Sequence, residues 1–183
     1  MSTLALNDSC CEVLTAWAAP NAVQEGLRLR YLHHLASRDS GWSRACPGAH
    51  LTASSLICAE DSAQVLLTLH ARIGRWLQTG GHIEAEDESL AGAAWREATE
   101  ESGLTRLTLL DEPLLLSEHE VPCGAVRPTF HLDVQYLVLT PTTSAPSYGD
   151  ESLDVRWFPV DDLPDVDRSV RDLTAAAGRR LGW

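Results

Sequence analysis

Apolar and polar side chains alternate most regularly along residues 129–139, and this pattern predicts a half-buried β-strand. One face of the strand is apolar and contains Phe130, Leu132, Val134, Tyr136 and Val138. The opposite face is polar and contains His131, Asp133 and Gln135. Because polar groups inside a sheet need partners or a cavity, this polar row either lines a cleft and contacts a substrate or forms a structural hydrogen-bond network.

Shorter apolar runs bounded by turn-forming residues predict further strands at residues 51–58, 63–70, 107–117 and 155–158. The first two follow each other closely and should form a hairpin. Residues 75–77 are predicted to be a short extended segment that leads from this hairpin into a glycine pair. Its Trp76 either stacks on a nucleotide base or packs at the rim of the core.

Apolar residues at helical spacing predict two helices near the N-terminus and one at the C-terminus, residues 167–181. The first helix, which Asp8 or Ser9 would cap, ends near Ala18. The second spans residues 21–37, and its predicted apolar face is Val23, Leu27, Tyr31 and Leu35. These helices and the polar segment after them suggest an N-terminal helical extension packed on the core, residues 1–48, followed by the main domain, residues 49–183.

A further helix is predicted between the glycine pair Gly80–Gly81 and Gly103. Ser89 or Asp87 can cap its first turn, and Gly103 stands where a left-handed residue commonly ends a helix. The alternation of strands and helices along the chain indicates an α/β fold in which a mixed sheet lies between helices.

The acidic residues of this helix share one face, because Glu97, Glu100 and Glu101 are spaced i, i+3 and i+4. This face abuts the apolar arc of the helix, so the carboxylates should lie at the rim of a buried surface. A divalent cation would relieve their mutual repulsion, and oxygen-only ligands suit Mg²⁺ or Mn²⁺. The alternative is a solvated acidic helix face without a ligand.

The net charge of −12 for 183 residues argues against partners such as nucleic-acid polymers or anionic membranes. All 14 basic residues are arginine, and the absence of lysine excludes a P-loop lysine and a Schiff-base lysine. The five cysteines include no Cys-x2-Cys pair. Reduced thiols in a cytoplasmic protein are therefore expected, and a monomer or a homodimer is equally compatible with the sequence.

Residues 88–104 resemble the signature of the Nudix hydrolases, Gly-x5-Glu-x7-Arg-Glu-U-x-Glu-Glu-x-Gly-U, where U is an aliphatic residue. Here Glu88 is followed after seven residues by Arg96-Glu97-Ala98-Thr99-Glu100-Glu101-Ser102-Gly103-Leu104. The chain departs from the signature only in that six residues, not five, separate Gly81 from Glu88. The N-terminal helices resemble those of longer bacterial members.

The resemblance implies an α/β/α sandwich and an enzyme that uses Mg²⁺ or Mn²⁺ to hydrolyse a phosphoanhydride bond in a nucleoside diphosphate linked to another group. It implies that Glu97, Glu100, Glu101 and the carbonyl of Gly80 hold the metal ion. It also implies that Arg96 and Glu88 pair with each other and orient these carboxylates.

Hydrolysis needs a general base within reach of the attacking water. Glu101 or Glu100 is the first candidate, and Glu151, on a loop at the end of the sheet, is the second. The candidate substrate contacts are Trp76 and His82 together with the polar row of the regular strand.

Two other functions are compatible with the same fold. One is a nucleotide-sensing domain without catalysis, although the intact glutamates disfavour it. The other is an enzyme like isopentenyl diphosphate isomerase, which would need a reactive cysteine, with Cys123 the candidate in an uncertain loop.

Overall fold

The computed structural model describes residues 3–122, 126–141, 143–147 and 152–183. Four helices and seven strands follow one another as α1 Thr3–Ala16, α2 Ala22–Ala36, β1 Ala49–Ala59, β2 Gln64–His70, β3 Trp76–Leu77, β4 Thr79–His82, α3 Leu90–Ser102, β5 Thr108–Val121, β6 Thr129–Thr140, β7 Ser152–Pro159 and α4 Arg168–Leu181. The predicted strands and the helices after the N-terminal segment are all present. In the described part of the chain, no helix is long and apolar enough to cross a membrane.

A mixed seven-stranded sheet forms the centre of the molecule. Strands β1 and β6 run parallel along their whole length, from Ala49 opposite Phe130 to Ala59 opposite Thr140. Strand β5 pairs with the outer edge of β6. On the other edge of β1, the antiparallel strand β4 pairs with the first half and β2 with the second half. Strand β7 closes this side by pairing with β2.

Helices cover both faces of the sheet, as the predicted α/β sandwich requires. On one face, α1, α2 and α3 bury a cluster that contains Leu14, Tyr31, Ala53, Ala94 and Val134. On the other face, α4 packs against the sheet in a second cluster, for which Leu56, Leu137 and Leu173 are representative. Consecutive residues of β1 and β6 therefore face different helices.

The N-terminal helices differ in detail from the prediction. Helix α1 already begins at Thr3, so Asp8 and Ser9 lie inside it and cap nothing. In α2, Asn21 caps the helix as a sequence signal would suggest, but Val23 is 74% exposed. The helix is rotated because the Gln24 amide donates to the Leu116 carbonyl of β5 at 3.0 Å and accepts from the Leu116 N–H at 2.6 Å.

Candidate active site

Helix α3 is held at both ends by its own sequence. The Ser89 Oγ accepts a hydrogen bond from the Gly92 N–H at 3.0 Å, and Gly103 ends the helix with a φ of 64°. Leu90, Ala94 and Ala98 are completely buried against the sheet. Trp95, by contrast, is 47% exposed. The buried alanines bring the helix close to the sheet, so the acidic face lies next to strand β4.

Arg96 is the centre of a network of acidic groups. Its Nε donates to Asp87 Oδ1 and its Nη2 to Asp87 Oδ2, both at 3.0 Å. Its Nη1 donates to Glu97 Oε1 at 3.0 Å and to Glu100 Oε2 at 3.2 Å. The remaining contact is from Nη2 to the carbonyl of His82 in β4, at 3.0 Å. One planar guanidinium thus fixes three carboxylates and the edge strand in a single geometry.

The predicted pairing of Arg96 with Glu88 is wrong, because Asp87 takes that position. Asp87 is 7% exposed, and its Oδ2 also accepts from the Glu84 N–H at 2.8 Å, whereas Glu88 is exposed. The hydrogen bonds to Asp87 raise the pKa of Arg96 further above its ordinary value. Five residues separate Gly81 from Asp87, as in the signature, so the extra residue lies between Asp87 and α3.

This correction predicts that two neighbouring carboxylates respond differently to the same chemical change. Asp87→Asn keeps the shape of the side chain but removes the charge from a buried bidentate pair, so unfolding free energy should fall by about 2 kcal/mol. The matched change Glu88→Gln alters an exposed side chain and should cost less than about 0.5 kcal/mol. Denaturant unfolding of both variants measures the difference, and equal losses would contradict the assignment.

The glycine pair Gly80–Gly81 of β4 lies directly against the acidic face of α3. The Gly80 N–H donates to Glu101 Oε2 at 3.0 Å. A Cβ atom on Gly81 would lie 2.5 Å from Glu97 Oε1, a distance at which something must move. Gly81 is therefore needed because the Glu97 carboxylate rests directly on its backbone.

Gly81→Ala should consequently damage activity more than folding. The added methyl group meets only the flexible end of Glu97, so the carboxylate should be pushed from its hydrogen bond with Arg96. A displacement of the carboxylate by about 1 Å should reduce turnover by roughly a hundredfold, while the free energy of unfolding should change by less than about 2 kcal/mol. Gly26→Ala in α2, where no atom lies within 4 Å of the new Cβ, is the matched control, and it should keep full turnover. Native turnover in Gly81→Ala would show that Glu97 is not held at this position.

Two of the predicted substrate contacts instead belong to a structural network. Asp133 and Gln135 are 3% and 1% exposed. Asp133 accepts from Thr52 Oγ1 at 2.9 Å and from Ser54 Oγ at 2.7 Å, and the Gln135 amide donates to Ser169 Oγ of α4 at 3.2 Å. Of the two interpretations left open by the sequence, the structural one fits both residues.

The other predicted residues are more accessible. Trp76 is half-buried, its ring centroid lies 4.8 Å from that of Phe158, and the Arg156 guanidinium carbon lies 5.9 Å from its ring. These contacts match its alternative role in packing at the rim. His82 and His131 are half-buried, and their rings are 5.0 Å apart. Glu151, the second candidate base, lies outside the described residues.

Comparison with known proteins gives a family and a fold. A family model described as the NUDIX domain matches residues 48–177. A hydrolase of the NUDIX family from Clostridium perfringens shares 26% sequence identity, with a TM-score of 0.55 over 72% of this chain and 97% of that protein. A comparison with curated proteins finds no match.

Two further structures share the fold at lower identity. An Ap4A hydrolase from C. elegans, solved as a binary complex, is 18% identical with a TM-score of 0.58, covering 72% of this chain and 97% of that chain. The NUDIX domain of Shewanella oneidensis NrtR, complexed with ADP ribose, is 22% identical with a TM-score of 0.59, covering 81% and 97%.

Proposed function

Since this chain belongs to the NUDIX family and has the fold of a hydrolase acting on phosphoanhydride bonds, we propose that it is a metal-dependent pyrophosphohydrolase of nucleoside diphosphate derivatives. The observation that carries the proposal is the network around Arg96. One guanidinium binds Asp87, Glu97 and Glu100, and Glu101 is anchored beside them through the Gly80 N–H.

The chemistry of this donor set fits a hard divalent cation. Three carboxylates contact a single guanidinium and Glu101 adds a fourth negative charge beside them, so the acidic face keeps an excess of negative charge. Carboxylate oxygens are the ligands that Mg²⁺ and Mn²⁺ prefer, and the proposed ligands are Glu97, Glu100 and Glu101 with the carbonyl of Gly80. When bound, the cation would neutralise phosphate oxygens and lower the pKa of a water molecule.

The protein groups supply orientation and proton transfer. Arg96 holds Glu97 and Glu100 so that their oxygens need little reorganisation when a phosphate group arrives. The 59% exposed side chain of Glu100 can reach a water molecule on the solvent side. Glu101 is the other proposed base, and the hydrogen bond from the Gly80 N–H fixes the position of its carboxylate. Glu151 stays a third proposal.

The proposed substrate has a diphosphate that joins a nucleoside to another group. Support comes from two proteins of the same fold, one solved in complex with ADP ribose and the other an Ap4A hydrolase. With no lysine in the chain, phosphate oxygens would be bound by metal, arginine or backbone amides.

A hydrolysis screen tests this proposal. Nucleotide sugars, dinucleoside polyphosphates and nucleoside triphosphates are each incubated with Mg²⁺, with Mn²⁺ and with EDTA, and the nucleotide products are separated by chromatography. We expect cleavage of at least one diphosphate-linked nucleoside with metal and none with EDTA. Saturable binding of such a compound without cleavage would favour the nucleotide-sensing alternative.

The isomerase alternative has no support from the described cysteines. Burial raises the pKa of Cys10 and of Cys58 to about 12, so neither thiol is activated. Burial also raises the pKa of Cys11 and of Cys46. Cys123 lies outside the described residues. Migration of a double bond in an isoprenoid diphosphate, without phosphate release, is the result that would revive this alternative.

A further inference from the structure

Three histidines from distant parts of the chain meet on the face of the sheet opposite α3. His50 lies near the start of β1 and His131 near the start of β6, and the parallel pairing places them side by side. His82 ends β4 and pairs with Thr52, the next residue on the same face of β1. The ring centroids lie 4.9 to 5.2 Å apart, and one ligand nitrogen from each ring lies within 4.8 Å of the others.

The innermost of these rings lacks hydrogen bonds. His50 is fully buried, and neither of its ring nitrogens has a hydrogen-bond partner of acceptable geometry within the described residues. The backbone of Cys46 lies close enough to His50 to favour its protonated form, but the geometry is not that of a hydrogen bond. The buried Nε2 of His131 also has no hydrogen-bond partner among the residues that the structure describes. Polar atoms this deeply buried normally have partners, so these nitrogens point to a ligand.

The environment keeps the imidazoles in the form that binds metals. Burial lowers the pKa of His131 to about 3, and it also lowers the pKa of His50. At neutral pH the rings of His50 and His131 are therefore uncharged, and the unprotonated nitrogen of each ring can bind a metal ion. The charged or titratable groups that face them are Arg44, whose charge acts on all three rings, His34, which acts on His50, and His119, whose ring lies 5.5 Å from that of His131.

We propose that His50, His82 and His131 bind one divalent transition-metal ion, of which Zn²⁺ is the best fit, at a site separate from the glutamates of α3. A tetrahedral zinc ion with Zn–N bonds of about 2.0–2.1 Å needs nitrogens roughly 3.3 Å apart. The nitrogens now lie within 4.8 Å of one another, so the side chains would have to move closer together to bind the ion. Imidazole nitrogens select zinc, copper or nickel, whereas Mg²⁺ selects oxygen, so the two sites differ in chemistry.

Such an ion would connect the sheet at the point where it supports the acidic face. Its ligands come from β1, β4 and β6, and β4 is a short strand that pairs with β1 along only four residues. The carbonyl of His82 accepts a hydrogen bond from Arg96. A metal ion bound to the His82 ring would therefore hold the backbone of β4 in place. On the opposite face of the sheet, the same strand contacts Arg96 through the His82 carbonyl and Glu101 through the Gly80 N–H.

Metal binding by the untagged, full-length protein tests the proposal. The chelator-treated protein is titrated with Co²⁺, whose visible absorption reports tetrahedral coordination, and then with Zn²⁺. We expect one equivalent of Co²⁺ to give this absorption, Zn²⁺ to displace it, and one zinc per chain to survive gel filtration in metal-free buffer. A wild-type protein that gives no tetrahedral spectrum and retains no zinc overturns the proposal.

Variants separate this site from other metal-binding groups. His82→Gln should weaken binding by more than the roughly 10- to 100-fold that loss of a supporting group costs, whereas His33→Gln, on the exposed side of α2, should bind as the wild type does. The double variant Glu97→Gln, Glu101→Gln should keep its zinc. Loss of zinc from that double variant, or its retention in a folded His82→Gln protein, contradicts the assignment.

A substitution outside the three ligands tests the proposal even if His82→Gln does not fold. Arg44 is exposed and its positive charge opposes a bound cation. Arg44→Gln should therefore raise the affinity for Zn²⁺ by about two- to fivefold at low salt, because a screened surface charge has an effect of this order. The gain should shrink as salt is added. Unchanged affinity at low salt would place the zinc away from the three histidines.

Discussion

Arg96→Ala should lower the free energy of unfolding by on the order of 3–5 kcal/mol and reduce turnover by at least about a hundredfold. The guanidinium has a side-chain exposure of 21%, and Asp87, which is nearly buried, has 6%. Removing the cation leaves that carboxylate without its main partner and releases Glu97 and Glu100 at the same time. Few single changes in this chain disturb so many charged groups.

Two controls separate geometry from charge in this experiment. Arg96→Lys keeps the positive charge but cannot form the bidentate contact with Asp87, so it should recover only part of the stability. Arg106→Ala removes an exposed arginine and should leave unfolding and turnover unchanged. Denaturant unfolding and initial rates are measured for all three variants. An Arg96→Ala protein with native melting and native turnover would show that Arg96 is an ordinary surface residue.

Glu101→Gln should reduce turnover by at least about a hundredfold, the usual lower range for losing a catalytic acid or base. The glutamine keeps an oxygen that can accept the Gly80 N–H, so the local structure should persist. Without metal the variant should be as stable as the wild type or more stable, since one of several neighbouring negative charges is removed.

A matched change tests whether the effect belongs to this position. Glu88→Gln removes the same charge from an exposed glutamate that does not pair with Arg96, and it should retain most of the turnover. If the two variants lose turnover equally, net charge and not position is responsible. If Glu101→Gln retains native turnover, Glu97, Glu100 or Glu151 must carry the proton transfer.

Much of the fold follows from local signals in the sequence. The acidic helix could be predicted because Ser89 and Gly103 mark its ends and its alanines define a buried stripe. The regular strand β6 could be predicted because apolar and polar side chains alternate along its own sequence. Both features depend on residues close together in the chain, where side-chain chemistry and backbone conformation are directly linked.

The errors have a common physical cause in contacts between distant segments. Val23 looked apolar enough for the core, but the hydrogen bonds of Gln24 to Leu116 decided how α2 is rotated. Glu88 fitted one spacing of the signature, whereas burial selected the shorter side chain of Asp87. Asp87 could have been identified from the sequence, because five residues separate it from Gly81 and aspartate can replace the glutamate of the signature.

The histidine cluster illustrates the same limit. His82 and His131 were singled out separately, but nothing local indicated that His50 would join them. Their meeting depends on the parallel register of β1 with β6 and on the position of β4 at the edge of β1. Register between strands that are some 80 residues apart cannot be inferred from either strand alone.

The central claim is that carboxylates of α3 bind a divalent metal ion that hydrolysis requires. Its most direct test compares melting temperature and turnover of the wild type and Glu101→Gln, each with Mg²⁺ and with EDTA, on the substrate found by the screen. Because a ligand that binds the folded state stabilises it by mass action, Mg²⁺ should raise the melting temperature of the wild type more than that of the variant. Turnover should occur only in wild type with Mg²⁺. Equal melting shifts together with near-native turnover of the variant would contradict the account.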